Sequence, residues 1–276
     1  MTRVAVVTGG NKGIGFAIVK GLCKQFDGIV YLTARDVTRG TNAVKQLEEQ
    51  GLTPKFHQLD VTDENSISTF RDYLQKTHEG LDLLVNNAAI AFKTDAKDPF
   101  SVQAQETVKI NYSSLRKVCS LLYPLLKPHA RVVHVSSSSG RLSLIPGESL
   151  RKRFSDPNLT EEELDSIMKE FVDTAKANTH LDKGWPSSAY VVSKVGVSAL
   201  ARIHQRMFDS DSRADLVVNS VHPGYVDTDM TSHKGPLTPD QGAEAPLFCA
   251  LLPENTDIKG KYIWFDKSLV EWTKDA

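Results

Sequence analysis

The sequence predicts an α/β fold of the doubly wound kind, with one seven-stranded parallel sheet and helices on both faces. Three observations carry this expectation. Short β-branched runs alternate with longer helical patterns along the chain. Most of those runs are apolar without alternation, as strands buried on both faces require. The first run leads through a glycine-rich turn straight into a helix.

In chain order, the strand candidates are Val4-Val7, Ile29-Thr33, Lys55-Gln58, Leu81-Val85, Arg131-Val135, Asp215-Ser220 and Lys261-Trp264. Helical periodicity fills the gaps at Gly13-Gln25, Thr38-Glu49, Glu64-Lys76, Val102-Leu126, Ser188-Phe208 and Pro239-Leu251. Between about Gly140 and Trp185 the pattern turns polar and irregular. There Thr160-Glu161-Glu162-Glu163 reads as a capping box opening a helix near Glu161-Lys176. Its apolar positions Leu164, Ile167, Met168 and Phe171 fall at helical spacing, so residues 141–184 read as a partly helical insertion.

The 276 residues are 40% hydrophobic and 24% charged, which suits one domain spanning 1–276 with an ample core. A net charge of -1 offers no basic excess for nucleic acid, and no apolar run reaches membrane-spanning length. The N-terminus enters a strand directly, without the pattern of a signal peptide. Cys23, Cys119 and Cys249 lie far apart and read as reduced core thiols of a cytoplasmic protein. The eight histidines show no metal-ligand spacing, so no metal is expected.

Thr8-Gly9-Gly10-Asn11-Lys12-Gly13-Ile14-Gly15 follows the first strand. Glycines let a backbone turn sharply beside a phosphate, and the next helix points its free amides at the anion. This predicts a dinucleotide site at Gly9, Asn11, Lys12, Gly13, Ile14 and Gly15. The second strand ends Thr33-Ala34-Arg35-Asp36. Arg35 and Lys12 suit the 2′-phosphate of NADP. Asp36 is the competing signal, because an acid near this position would bind the ribose hydroxyls of NAD; its alternative role is to cap the following turn. Two cations against one acid favour NADP.

Further clusters fall on one edge of the predicted sheet: Asn86-Asn87-Ala88-Ala89, Ser136-Ser137 and Pro223-Gly224-Tyr225-Val226-Asp227-Thr228. Ligands of this architecture bind at strand carboxyl ends. Asn111 lies inside a helical pattern, where a buried amide is unusual. Tyr190 and Lys194, four apart in Ser187-Ser188-Ala189-Tyr190-Val191-Val192-Ser193-Lys194, share one helix face.

With TGGNKGIG, LTARD, VNNAA, VSS, YxxxK, HPGYVDTDM, the GWPSSAY lead-in and a closing VEW in this order, the chain resembles the short-chain dehydrogenase/reductase family end to end. Within that family it resembles the cytosolic, monomeric, NADPH-dependent carbonyl reductase branch. The resemblance implies a Rossmann-like fold and reduction of aldehydes, ketones and quinones. It implies that Tyr190 donates a proton and that Lys194 holds the nicotinamide ribose and lowers the tyrosine's pKa. Ser137 would bind the reacting carbonyl, and Asn111 would position a relay water. Asp60 and Val61 would flank adenine. Asn87, Pro223, Gly224, Val226 and Thr228 would join the cofactor contacts. One departure is Ala89, where the family usually has glycine; a modest local shift is expected. The substrate pocket is expected near Ile90, Phe92, Ser138, Trp185 and Tyr225, with Ser137 at its base. The insertion before the tyrosine helix implies a monomer, because it would cover the surface through which relatives tetramerise.

Overall fold

The computed structural model describes residues 2–93 and 95–274. Along its first strand, β1 (Val4–Val7), successive side chains enter different layers. Val4 and Val6 join one apolar core, and Ala5 and Val7 join another. The same division runs through β2 (Ile29–Ala34), where Tyr31 and Leu32 part to opposite faces. A strand's period of two, with both faces apolar, therefore demands a helical layer on each side.

The remaining strands are β3 (Lys55–Gln58), β4 (Leu81–Asn86), β5 (Leu126–Val135), β6 (Val217–Val221), β7 (Tyr262–Ile263) and β8 (Leu269–Val270). They form one sheet in the order β3-β2-β1-β4-β5-β6-β7-β8. Helices α1 (Gly13–Gln25) and α2 (Val37–Glu48) contribute to one layer. Helices α3 (Glu64–His78), α4 (Phe100–Val108) and α5 (Ser114–Leu122) lie on the other. Helices α6 (Glu148–Ser155), α7 (Glu161–Lys176) and α8 (Ala189–Asp209) extend that second layer, while α9 (Pro239–Ala250) returns to the first.

The sheet has eight strands, one more than expected, and the last pair, β7 and β8, is antiparallel. The turn between them closes locally. Lys267 sits at φ 71°, and the Asp266 carboxylate accepts from the Ser268 amide at 3.0 Å. A two-residue strand carries too few positions for alternation to reveal it. Strand β6 begins at Val217, later than expected. Asp215 adopts φ 56°, and its carboxylate accepts from Arg131 at 2.8 Å and from the Asn255 amide at 2.8 Å.

The expected helix Val102-Leu126 is broken into four pieces. A π-turn at Lys109–Ser113 separates α4 from α5, and a short 3₁₀ turn holding Pro124 leads into β5 at Leu126. The insertion contains α6 as well as the expected α7. Helix α6 has only two apolar side chains, Leu150 and Phe154, so its periodicity is faint. The α7 cap is formed as expected: the Glu163 amide donates to Thr160 Oγ1 at 3.2 Å, and the Thr160 amide to Glu163 Oε2 at 2.9 Å. Leu164, Ile167, Met168 and Phe171 are all buried, packing α7 onto α4 and α8.

Candidate active site

The glycine loop is held from below by the end of β4. The amides of Asn87 and Ala88 donate to Thr8 Oγ1 at 3.0 and 3.1 Å. The Asn87 side-chain amide donates to the carbonyls of Thr8 and Gly9, at 3.0 and 3.1 Å. Gly9 and Gly13 sit at φ 64° and 55°, where an L side chain is strained. A methyl on Gly15 would lie 2.3 Å from the Gly9 carbonyl oxygen, so only glycine lets α1 approach the loop. Lys12 caps α1 without a side-chain hydrogen bond, which leaves the first-turn amides facing outward. Gly13 lies against Thr228, bringing the Pro223–Thr228 segment, with Gly224 and Val226, to the loop. Asn11 and Ile14 are half-buried in the same turn. Uncapped amides, a glycine cradle and a hydroxyl beside it fit a diphosphate.

At the tip of β2, Arg35 is exposed and makes no ion pair among the described residues. Asp36 caps α2 by accepting from the Arg39 amide at 2.8 Å. Its carboxylate therefore serves the helix, and the competing signal for NAD loses its force. Lys12 pairs with Asp229 at 2.6 Å across the mouth of the cleft. Asp60 folds onto its own turn, accepting from the Thr62 amide and hydroxyl at 2.9 and 2.7 Å, and Val61 beside it is half-buried. Ala89 is absent from the positive-φ positions, so its methyl demands no left-handed backbone.

Helix α8 brings Tyr190 and Lys194 to the carboxyl end of β5. Ser188 caps it, accepting from the Val191 amide at 3.3 Å. Lys194 is 3% exposed and its ammonium donates to the Val135 carbonyl at 2.7 Å. Burial brings its pKa down to about 8. The ammonium is 5.8 Å from the centre of the Tyr190 ring. The tyrosine is not acidified here: burial pushes its pKa up, and Ser137, as a hydrogen-bonding neighbour, pulls the other way. The expected lowering by Lys194 is not seen because its ammonium is turned to the strand and desolvation dominates.

Ser137 opens a 3₁₀ turn, Ser138–Gly140, and its hydroxyl oxygen accepts from the Ser139 amide at 3.1 Å. Ser136, beside it, points into the core and bonds Ser198 at 2.8 Å. Asn111 stands in the π-turn, buried. Its Oδ1 accepts from the Ile90 amide at 2.8 Å, and its Nδ2 donates to the Ile90 carbonyl and to Ser193 Oγ at 2.9 and 3.0 Å. An asparagine in the helical pattern is thus explained by the chain segment it binds.

The structure divides the expected substrate residues. Ile90, Phe92 and Ser138 are half-buried, and Tyr225 is 52% exposed. Trp185 is 1% exposed and packs against Phe154 and Phe171, so it belongs to the core of the insertion and not to a pocket wall. The sequence reading missed Met230, whose sulfur lies 4.0 Å from the Tyr190 hydroxyl. It also missed the aromatic cluster of His222, Trp264 and Phe265, which lies beside Gly224. Burial and the nearby Arg141 bring the His222 pKa down to about 4. Met230 stands in the quoted HPGYVDTDM, but a thioether carries no chemical signal of its own.

A second polar cluster, also unforeseen, lies within the helical layer beneath. Cys119, His134 and His204 bring ligand-type atoms within 4.8 Å of one another. Each ring nitrogen already has a partner. Asn86 faces His134 Nδ1 at 3.2 Å, His134 Nε2 faces His204 Nδ1 at 3.2 Å, and His204 Nε2 faces Glu161 at 2.7 Å. The chain of bonds joins β4 and β5 to α8 and α7.

Comparisons with known proteins agree with this geometry. The family description "short chain dehydrogenase" matches residues 3–148. The chain is 50% identical to carbonyl reductase [NADPH] 1 of Sus scrofa, covering 98% of this chain and 94% of that one. It is 48% identical to carbonyl reductase [NADPH] 1 of Homo sapiens, covering 98% of each. Among solved structures, salutaridine reductase from Papaver somniferum superposes with a TM-score of 0.86 at 34% identity, covering 94% of this chain and 99% of that one.

Proposed function

The chain belongs to the short chain dehydrogenase family, and from that premise we propose that it is an NADPH-dependent carbonyl reductase, converting aldehydes, ketones and quinones to alcohols and hydroquinones. The observation that carries this reading is the meeting of Tyr190, Ser137 and Lys194 at the strand ends beside the uncapped first turn of α1. NADPH supplies the hydride when bound. The amides of α1 and the glycines would hold its diphosphate. Arg35 and Lys12 would hold its 2′-phosphate.

Tyr190 gives its proton to the carbonyl oxygen as negative charge develops there. A phenol, whose ordinary pKa is about 10, is protonated near neutrality and holds the proton that a reductase must deliver. Ser137 donates a hydrogen bond to the same oxygen, stabilising the charge that develops there. Lys194, whose ammonium is anchored on the Val135 carbonyl, would hold the nicotinamide ribose hydroxyls. Asn111 fixes the Ile90 segment against α8 and holds the relay water with its remaining acceptor capacity. Phe92, Tyr225 and Met230 form the apolar approach for the substrate.

This reading includes a monomer of one domain acting in the cytoplasm. Support for the monomer comes from α7, which packs along α8 and covers it. Light scattering that gave a tetramer would refute it. The central test is loss of NADPH absorbance with menadione or an aryl aldehyde, repeated with NADH. Turnover with NADPH well above that with NADH is expected. No turnover with any carbonyl of the panel would overturn the assignment.

A further inference from the structure

The closing Val270-Glu271-Trp272, which the site as described leaves unused, returns to the active site from behind. Strand β7 and the residues after β8 lie against the turn that begins at Ser137. The Tyr262 hydroxyl donates to the Ser137 carbonyl at 2.5 Å. The Trp272 indole N–H donates to the Gly140 carbonyl at 2.6 Å. These are the two ends of the 3₁₀ turn, and its own closing bond, from the Gly140 amide to the Ser137 carbonyl, is 2.8 Å. Tyr262 and Trp272 are both buried, so neither donor has water as an alternative.

The opposite side of the turn is fixed as firmly. A methyl on Gly140 would lie 2.2 Å from Ser136 Oγ and 2.9 Å from the Lys194 carbonyl oxygen. Ser136 Oγ in turn donates to that Lys194 carbonyl at 3.2 Å. The turn is therefore gripped between α8, which carries Tyr190 and Lys194, and the C-terminal segment.

We propose that Tyr262 and Trp272 are positioning residues for the reaction: by pinning the carbonyls of Ser137 and Gly140 they hold the Ser137 hydroxyl toward the oxygen that Tyr190 protonates. This rests on the reading of Ser137 given above. An aromatic donor suits the task, since two torsions position it and the ring fills the core behind it. The C-terminal segment thereby becomes part of the catalytic apparatus without touching substrate.

The test is a double-mutant cycle with the full chain. Tyr262→Phe keeps the ring and removes the donor; Trp272→Phe does the same at the other end with a smaller ring. Tyr262→Phe is expected to lower kcat about tenfold with KM for NADPH within about twofold, because a small displacement of a positioned group costs rate. Trp272→Phe is expected to lower it less. In a Ser137→Ala background Tyr262→Phe is expected to change kcat hardly at all, whereas a general loss of structure would lower both backgrounds alike. Equal losses in the two backgrounds, or unchanged kcat in both single variants, would overturn the positioning role. Near-normal turnover of Ser137→Ala would instead overturn the reading of Ser137 and this role with it. If Tyr262→Phe fails to fold, the same cycle with Trp272→Phe decides.

Discussion

The two ends of the cleft are built by different means. At the catalytic end, Lys194, Asn111 and Ser193 are buried and bonded to backbone or to one another. At the outer end, Arg35, Lys12 and Asp229 are exposed, and the Lys12–Asp229 ion pair lies in water. The difference teaches that buried hydrogen bonds fix geometry, while exposed cations select a ligand by charge. Losing a buried bond leaves a desolvated partner unsatisfied; losing an exposed pair leaves two solvated groups.

The largest effect should come from breaking the catalytic end. Tyr190→Phe is expected to lower turnover on the order of 10²–10⁴-fold with little change in NADPH affinity. Steady-state kinetics with fluorescence titration of NADPH checks both halves, and near-normal turnover would remove Tyr190 from the reaction. At the outer end, Arg35→Ala removes charge-assisted bonds worth roughly 1.5–3 kcal/mol. NADPH binding should weaken while NADH binding does not, and the salt dependence of NADPH binding should flatten. Equal losses for the two cofactors would mean that the 2′-phosphate is held elsewhere.

The smallest effect sharpens the contrast through stability. Burial holds the His134 pKa well below its ordinary value and lowers that of His204. A histidine with a depressed native pKa is neutral when folded and takes up a proton when unfolded. Its contribution is complete above the unfolded value of about 6.5 and is lost as pH falls below it. Glu161, held down chiefly by its bond from His204, acts in the same direction at lower pH. Urea unfolding should therefore show stability falling from pH 7.5 to 5.5. His134→Leu should reduce that slope; a slope unchanged in this variant would exclude the cluster as its source. Arg35→Ala should leave the slope unaltered.

Much of the site was legible because its residues carry their own chemistry. The glycine loop and Ser137 were readable as groups at strand ends, and Tyr190 and Lys194 as two groups on one helix face. Trp185 misled, because an aromatic next to a catalytic motif reads the same whether it faces a pocket or a core. Asp36 stayed ambiguous until its carboxylate was found on the Arg39 amide. Met230, Tyr262 and the histidine cluster were illegible for a different reason. Met230 reaches Tyr190 over 40 positions, Tyr262 reaches Ser137 over 125, and His134 reaches His204 over 70.

What the sequence determined by itself is whatever local rules encode: strand and helix order, the cap of α7, the glycine-rich turn and the helical spacing of phenol and ammonium. Tertiary structure alone decided which way the Lys194 ammonium points, that burial raises the Tyr190 pKa, and that the chain's end grips the Ser137 turn. Those outcomes depend on desolvation and on contacts between distant segments, and neither is written in any short stretch of residues.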